Sequence, residues 1–174
     1  LFLPSLSGGG AQRVMVTFAN ELAALGLRVD LVLGSASGPY RSEISPSVSV
    51  IELGSPRVSR CLLPLAKYLR KQQPTWLFST MLHANIIAVL SKYLGGCKTR
   101  VWLRESTTPS RAFVDQPWFL AHAYTWALRL MYGRAEGIVA PSQGVADDLC
   151  AISGGMRSKL HVLMNPLATA EISN

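Results

Sequence analysis

Leu1-Phe2-Leu3-Pro4-Ser5-Leu6-Ser7-Gly8-Gly9-Gly10-Ala11-Gln12-Arg13-Val14 sets three apolar residues, a polar turn with consecutive glycines and the start of a periodic apolar run in immediate succession. The run continues through Val14, Phe18, Leu22 and Leu25, at helical spacings of three and four, so Ala11 to Leu25 is predicted as a helix closed by Gly26. Leu1 to Leu3 is what shows of a strand before it. Strand, glycine turn and helix in that order start an α/β unit, and the rest of the chain tests whether the unit repeats.

It does. Arg28 to Leu33, Val48 to Leu53, Trp76 to Ser79, Arg100 to Leu103, Gly137 to Ala140 and Leu160 to Leu163 read as strands. Cys61 to Lys71, Ala84 to Leu94 and Pro117 to Tyr132 read as helices between them. Pro74 ends the first of these and Gly95-Gly96 the second. Ser142 fits an N-cap, with Asp147 and Asp148 in the short helix that it starts. Strands alternating with helices give the fold class: α/β, a Rossmann-like doubly wound parallel sheet with helices on both faces. A length of 174 residues supports one such domain and is short for two. There is no internal repeat and no low-complexity tract.

Composition narrows the partners. Seventeen basic residues against ten acidic ones leave a formal charge of +7, which favours a phosphate, a nucleic acid or an acidic membrane surface. The basic residues are scattered, with no Lys/Arg run interleaved with aromatics, and this argues against nucleic acid. Cys61, Cys97 and Cys150 are far apart and form no CxxC pair, so reduced thiols in a cytosolic compartment are expected. The most apolar stretch, Trp76 to Leu90, contains Ser79, His83 and Asn85 and falls short of the roughly 20 residues that cross a bilayer. The start shows no basic region and no initiating Met, and is not expected to be a signal peptide. The end, Asn165-Pro166-Leu167-Ala168, runs into a polar tail. The chain is therefore expected to be a piece of a longer one, with a domain over 1–166 and the start of an interdomain linker over 167–174.

Ligands of such sheets bind beyond the carboxyl ends of the strands, which selects the loops after Leu3, Ser79, Leu103 and Ala140. In the first, Gly8, Gly9 and Gly10 permit positive φ and close backbone approach, and the helix start offers unpaired N–H groups, a combination suited to a diphosphate. Arg13, one turn in, can add a charge-assisted contact or be solvated. The turn is neither the dinucleotide GxGxxG, whose third glycine would fall at Arg13, nor a P-loop, since no GKS/T follows. In the second loop His83 and Asn85 are helix caps, core groups or cleft-facing hydrogen-bonding groups. In the third, Arg104 and Glu105 are either a solvated pair or cleft groups. His161 is expected to be structural.

Taken together, Pro4 to Arg13 and Glu21-Leu22-Ala23-Ala24-Leu25-Gly26-Leu27-Arg28-Val29-Asp30-Leu31 resemble the opening of group 1, or family 4, retaining glycosyltransferases of GT-B fold, with their GGAER-like turn and "LxxxGHxVxL". Gln12 replaces the usual Glu, and Leu27-Arg28 the His-containing step. Ala135 to Leu149 resembles "ADAIVAVSEGVxxDL", and Lys159 to Pro166 resembles "KIxVIxNP". The resemblance implies the N-terminal, acceptor-side half of an enzyme whose glycine loop faces the diphosphate of a nucleotide-sugar donor across an interdomain cleft. The donor nucleotide and an E-x7-E motif would belong to a C-terminal domain, and this chain has no E-x7-E pair. Arg104-Glu105-Ser106-Thr107-Thr108-Pro109 resembles the family's "SERNxP" loop, which implies Glu105 as the acidic, catalytic position and Arg104 and Ser106 near the transferred sugar, though Ser106 stands where Arg or His is usual. His83, Asn85 and Ser142 complete the expected acceptor and sugar contacts.

These expectations add up to transfer of a sugar, with retention, from a nucleotide-sugar to a glycan or lipid-linked acceptor. No cofactor and no metal are expected, the nucleotide-sugar being a substrate. The aromatic run Pro117 to Tyr132 carries more large apolar groups than one stripe can bury. It is either a helix enclosed between the sheet and a neighbouring element or, with the basic balance, a peripheral contact to an anionic membrane. A nucleotide-sugar 2-epimerase of the same fold, using Glu105 and His83 as acid and base, and a non-enzymatic nucleotide-binding module are the alternatives.

Overall fold

A computed structural model of the chain describes residues 1–110, 117–154 and 156–164. Seven strands, β1 (Phe2–Leu3), β2 (Asp30–Leu33), β3 (Ser49–Glu52), β4 (Trp76–Thr80), β5 (Arg100–Arg104), β6 (Gly137–Ala140) and β7 (Leu160–Val162), form one sheet. Every pairing is parallel, in the order β3-β2-β1-β4-β5-β6-β7. Five helices connect them: α1 (Gly10–Ala24), α2 (Leu62–Gln72), α3 (Leu82–Gly95), α4 (Trp118–Tyr132) and α5 (Gln143–Ser153). This is the doubly wound, Rossmann-like arrangement that the alternating pattern predicts.

Parallel crossovers are right-handed, so the direction in which a crossover moves along the sheet decides the face its helix covers. The step from β1 to β2 runs one way, and puts α1 on one face with Leu3, Leu31, Leu33, Met15, Val16 and Ala19 in its core. The steps from β3 to β4 and onward run the other way. They gather α2, α3, α4 and α5 on the opposite face around Phe2, Leu77, Leu103, Ile138 and Ala140. Helices thus lie on both faces but unevenly. Over β4 to β7 the α1 face is a strip of rings in which Phe78 stacks on Trp102 at 6.1 Å and His161 lies tilted against Trp102 at 5.2 Å. Trp102 lies so close over Gly137 that a Cβ there would meet its ring at 2.7 Å.

Local chemistry sets the ends of the helices. Gly26 (φ +79), Gly96 (φ +60) and Gly154 (φ +69) close α1, α3 and α5 in the left-handed region. Gly95 lets α3 approach α2, since a Cβ there would stand 2.8 Å from the Ala66 carbonyl oxygen. α3 starts two residues before the expected Ala84 because Met81, at φ +77, makes the whole turn from strand to helix by itself. The Ser142 hydroxyl caps α5 by accepting from the Val145 amide. Ser142→Ala is expected to cost about 1 kcal/mol, and Ser142→Asp to keep most of it, read as thermal midpoints.

α4 is divided. Leu128, Met131 and Tyr132 are buried, whereas Phe119 and Trp126 are more than half exposed. Neither full enclosure nor a wholly external helix describes it. Cys61 and Cys97 are buried, Cys150 is partly so, and all three are free thiols.

Candidate functional site

Because β1, β4, β5 and β6 are neighbours and parallel, the four loops selected from sequence leave the same edge of the sheet. Crossover direction reverses between β1 and β4, so the loops after these two strands diverge to opposite faces and leave a crevice between them. The glycine turn forms one wall. Gly8 (φ +102) and Gly9 (φ +141) hold conformations that suit glycine, and Gly8, Gly9 and Gly10 are all exposed. Gly9, the N-cap of α1, makes no side-chain cap bond, so the first N–H groups of a helix that starts at an exposed loop lack that partner. Arg13 is exposed one turn further on.

Two supports for this turn were not singled out from sequence. The Gln12 side chain is buried beneath it, and a Cβ on Gly9 would come within 2.7 Å of Gln12 Oε1. Behind it, Gly38 (φ +141) packs against the chain leading into the turn, where a Cβ would stand 2.0 Å from the Leu6 carbonyl oxygen. Gly38 belongs to the loop after β2 and shows no signal in its own stretch of sequence beyond being a glycine before a proline.

Across the crevice, the strained Met81 junction leads to His83, which is exposed on the first turn of α3. Asn85 behaves otherwise. It is fully buried, so of the roles expected for it the core one holds and contact with an acceptor hydroxyl does not. Its Nδ2 donates to the Arg104 carbonyl at 3.1 Å, to Glu105 Oε1 at 3.2 Å and to the Tyr132 hydroxyl oxygen at 2.8 Å.

Arg104 and Glu105 are not a solvated pair. Side chains alternate along a strand, and the β5 ladder runs one residue past Arg104, where the Glu105 amide donates to the Val139 carbonyl at 2.9 Å. Arg104 therefore turns to the α1 face, where Nη1 donates to Thr80 Oγ1 at 3.1 Å beside a cavity of about 200 Å³ lined by Val14, Met15, Phe18 and Met164 among others. Glu105 turns the other way, is 1% exposed, and accepts from the Tyr132 hydroxyl as well as from Asn85. Burial raises its pKa to about 8, against the hydrogen bonds from Asn85 and the Ser106 amide and the charge of Arg104, which lower it. The carboxyl expected to face the cleft is enclosed between α3 and α4 in this structure.

Ser106 is half-buried, Thr107 exposed, and Ser142 exposed at the end of β6, where it serves as the α5 cap. Among the described residues no cluster of His, Cys, Asp and Glu has the grouping of a metal site. The expected linker at 167–174 and the segment 111–116 lie outside the described residues.

The family model for Glycosyltransferase Family 4 matches residues 8–171, from the glycine turn past the last strand. The chain belongs to this family. Among solved structures, the family fold is shared with the apo form of the lipopolysaccharide outer core galactosyltransferase WaaB, at a TM-score of 0.70 and 10% identity over 95% of this chain and 44% of that one. Anabaena HepE in complex with UDP and glucose gives a TM-score of 0.67 at 15% identity, covering 94% of this chain and 43% of HepE. HepE in complex with UDP gives 0.64 at 14% over the same shares. At such identities the likeness is one of fold. This family 4 chain spans less than half the length of these structures. Compared by sequence with curated proteins, it matches none.

Proposed function

We propose that this chain is the acceptor-side N-terminal domain, over 1–166, of a retaining hexosyltransferase. Its donor is a nucleotide-sugar whose diphosphate sits on the backbone N–H groups of Gly8, Gly9 and Gly10, with Arg13 as a nearby cation. The observation that carries the reading is the exposed, uncapped start of α1 at the point where strand order reverses. There the amides and the positive end of the helix are fixed before the ligand arrives. They favour the charge that grows on the leaving diphosphate without costly rearrangement. His83, Ser106 and Thr107, exposed or half-buried at the same edge, are the groups of this half best placed to meet an acceptor. Residues from 167 onward would lead into a second domain that binds the nucleotide and closes the cleft. A glycan or lipid-linked acceptor and retention of configuration are part of this proposal, which asks no cofactor of this half.

The intact protein, offered a panel of radiolabelled nucleotide-sugars, is expected to transfer or slowly hydrolyse one of them. Interconversion of two sugars without loss of the nucleotide would replace this reading with the epimerase. For the accepted donor, Gly9→Ala is expected to raise KM roughly ten- to hundredfold, equivalent to about 1–3 kcal/mol for misplaced amides. An unchanged donor KM would separate the glycine turn from the diphosphate.

The exposed Phe119, Leu120 and Trp126 on α4, in a chain of net charge +7, support a second component of the proposal. The cytoplasmic enzyme would rest this helix on an anionic membrane that supplies a lipid-linked acceptor. No helix of the described residues is long and apolar enough to cross a membrane. Sedimentation with anionic liposomes at low salt, lost in Trp126→Ser, is the expected result, and no sedimentation would remove the membrane from the picture.

A further inference from the structure

The segment 105–110 that follows β5 is tied down at both ends by side chains from other elements. At its start, Glu105 is held by Asn85 from α3 and Tyr132 from α4, all three at most 1% exposed. At its end, the Ser110 amide donates to Asp148 Oδ2 on α5 at 2.9 Å. Between these ties lie Ser106, Thr107 and Thr108, three consecutive hydroxyl residues at the carboxyl edge, followed by a buried Pro109.

Polar groups so deeply placed are an unusual way to fill a core. The Asn85 amide has two hydrogens and three acceptors around it, while its Oδ1 and the neighbouring strand's Ser79 Oγ have no partner among the described residues. Leucine-like side chains would fill the same space without that cost, but they would not fix a direction. Hydrogen bonds do, and here the fixed object is the peptide unit of Glu105, from which the loop departs.

We propose that Asn85, Tyr132 and Asp148 are positioning residues, which act through Glu105 and Ser110 to hold Ser106–Thr108 as a rigid arch of hydroxyl groups for a polyhydroxylated acceptor. The assignment rests on reading the crevice as the site of glycosyl transfer. It makes Glu105 a strut beneath the site and moves recognition to the three residues after it. Acceptor selection then depends on Asn85 and Tyr132, which are buried, and on Asp148, which is partly so.

The test uses the intact protein with Tyr132→Phe and Asp148→Ala, and Tyr68→Phe as the comparator. Tyr68 donates to Asp30 at 2.5 Å near the opposite, amino-terminal edge of the sheet, so that variant loses a similar hydroxyl far from the loop. Hydrogen exchange of the amides of Ser106, Thr107, Thr108 and Ser110 is expected to speed up about tenfold in the first two variants and to stay at the parent rate in Tyr68→Phe. With the donor found by the panel, acceptor KM is expected to rise about tenfold while donor KM holds. Exchange unchanged in Tyr132→Phe and Asp148→Ala, or increased equally by Tyr68→Phe, would overturn the proposal. So would a parallel loss in kcat and both KM values. If no donor in the panel reacts, the transferase reading falls, while the exchange rates still decide whether these residues hold the loop.

Discussion

Alanine at position 38 is expected to lower the thermal midpoint by roughly 6–12 °C and to abolish donor saturation at concentrations that saturate the parent protein. Two effects combine. Gly38 has φ +141 and ψ 167, a region that residues with a Cβ scarcely enter, at a cost of about 1–3 kcal/mol. In addition, the new Cβ would lie 2.0 Å from the Leu6 carbonyl oxygen and 2.8 Å from the Ser7 nitrogen, both backbone atoms that cannot rotate away. The chain from Leu6 to Ser7 must move, and it carries Gly8 and Gly9 with it. Gly54→Ala separates the two effects, because Gly54 has φ +72 but open space around its Cβ position. It is expected to cost only about 1 kcal/mol and to leave donor binding alone. Equal losses of stability and of donor affinity in the two variants would sink the idea that the loop after β2 supports the glycine turn.

This contact marks the boundary of what the sequence could disclose. Strands and helices were legible because each is written in its own residues, and their ends fell within two positions of expectation wherever a glycine or proline marked them. The glycine turn was legible for the same reason. Gly38, by contrast, is required by a backbone some thirty positions earlier, and nothing in Gly34 to Pro39 records that. The uneven distribution of helices is set by crossover direction, which is a property of strand order and not of any one segment. At Glu105 the residue was found but its direction was not. The apolar run of β5 ends at Leu103, and only the extra ladder bond to Val139 shows that alternation continues and turns the carboxyl inward. Tyr132 could have been found, since it stands four residues after Leu128 on the buried stripe of α4, but its hydroxyl has meaning only beside Asn85, and that neighbour comes from another helix.

The inward carboxyl has a measurable consequence. Its pKa is raised from 4.5 to about 8, chiefly because burial disfavours the charged form, so the folded protein keeps a proton that the unfolded chain releases. A raised carboxyl pKa gives stability that is complete below the unfolded value, near 4.5, and is lost as pH rises to the folded value, near 8. The whole effect is on the order of a few kcal/mol. Glu105→Gln keeps the shape and an oxygen to accept from Tyr132 and Asn85, but has nothing to titrate. Denaturant unfolding of both proteins from pH 5 to 8.5 is therefore expected to give curves that differ in slope. The parent should lose stability steadily relative to the variant, and the variant should be the more stable above pH 8. Other titrating groups contribute alike to both and cancel in the difference. Parallel curves would mean that the carboxyl is solvated, with no grip on the loop it begins. A difference that grows over this window and then levels would mean that a neutral Glu105 is what the junction of α3, α4 and β5 is built to hold.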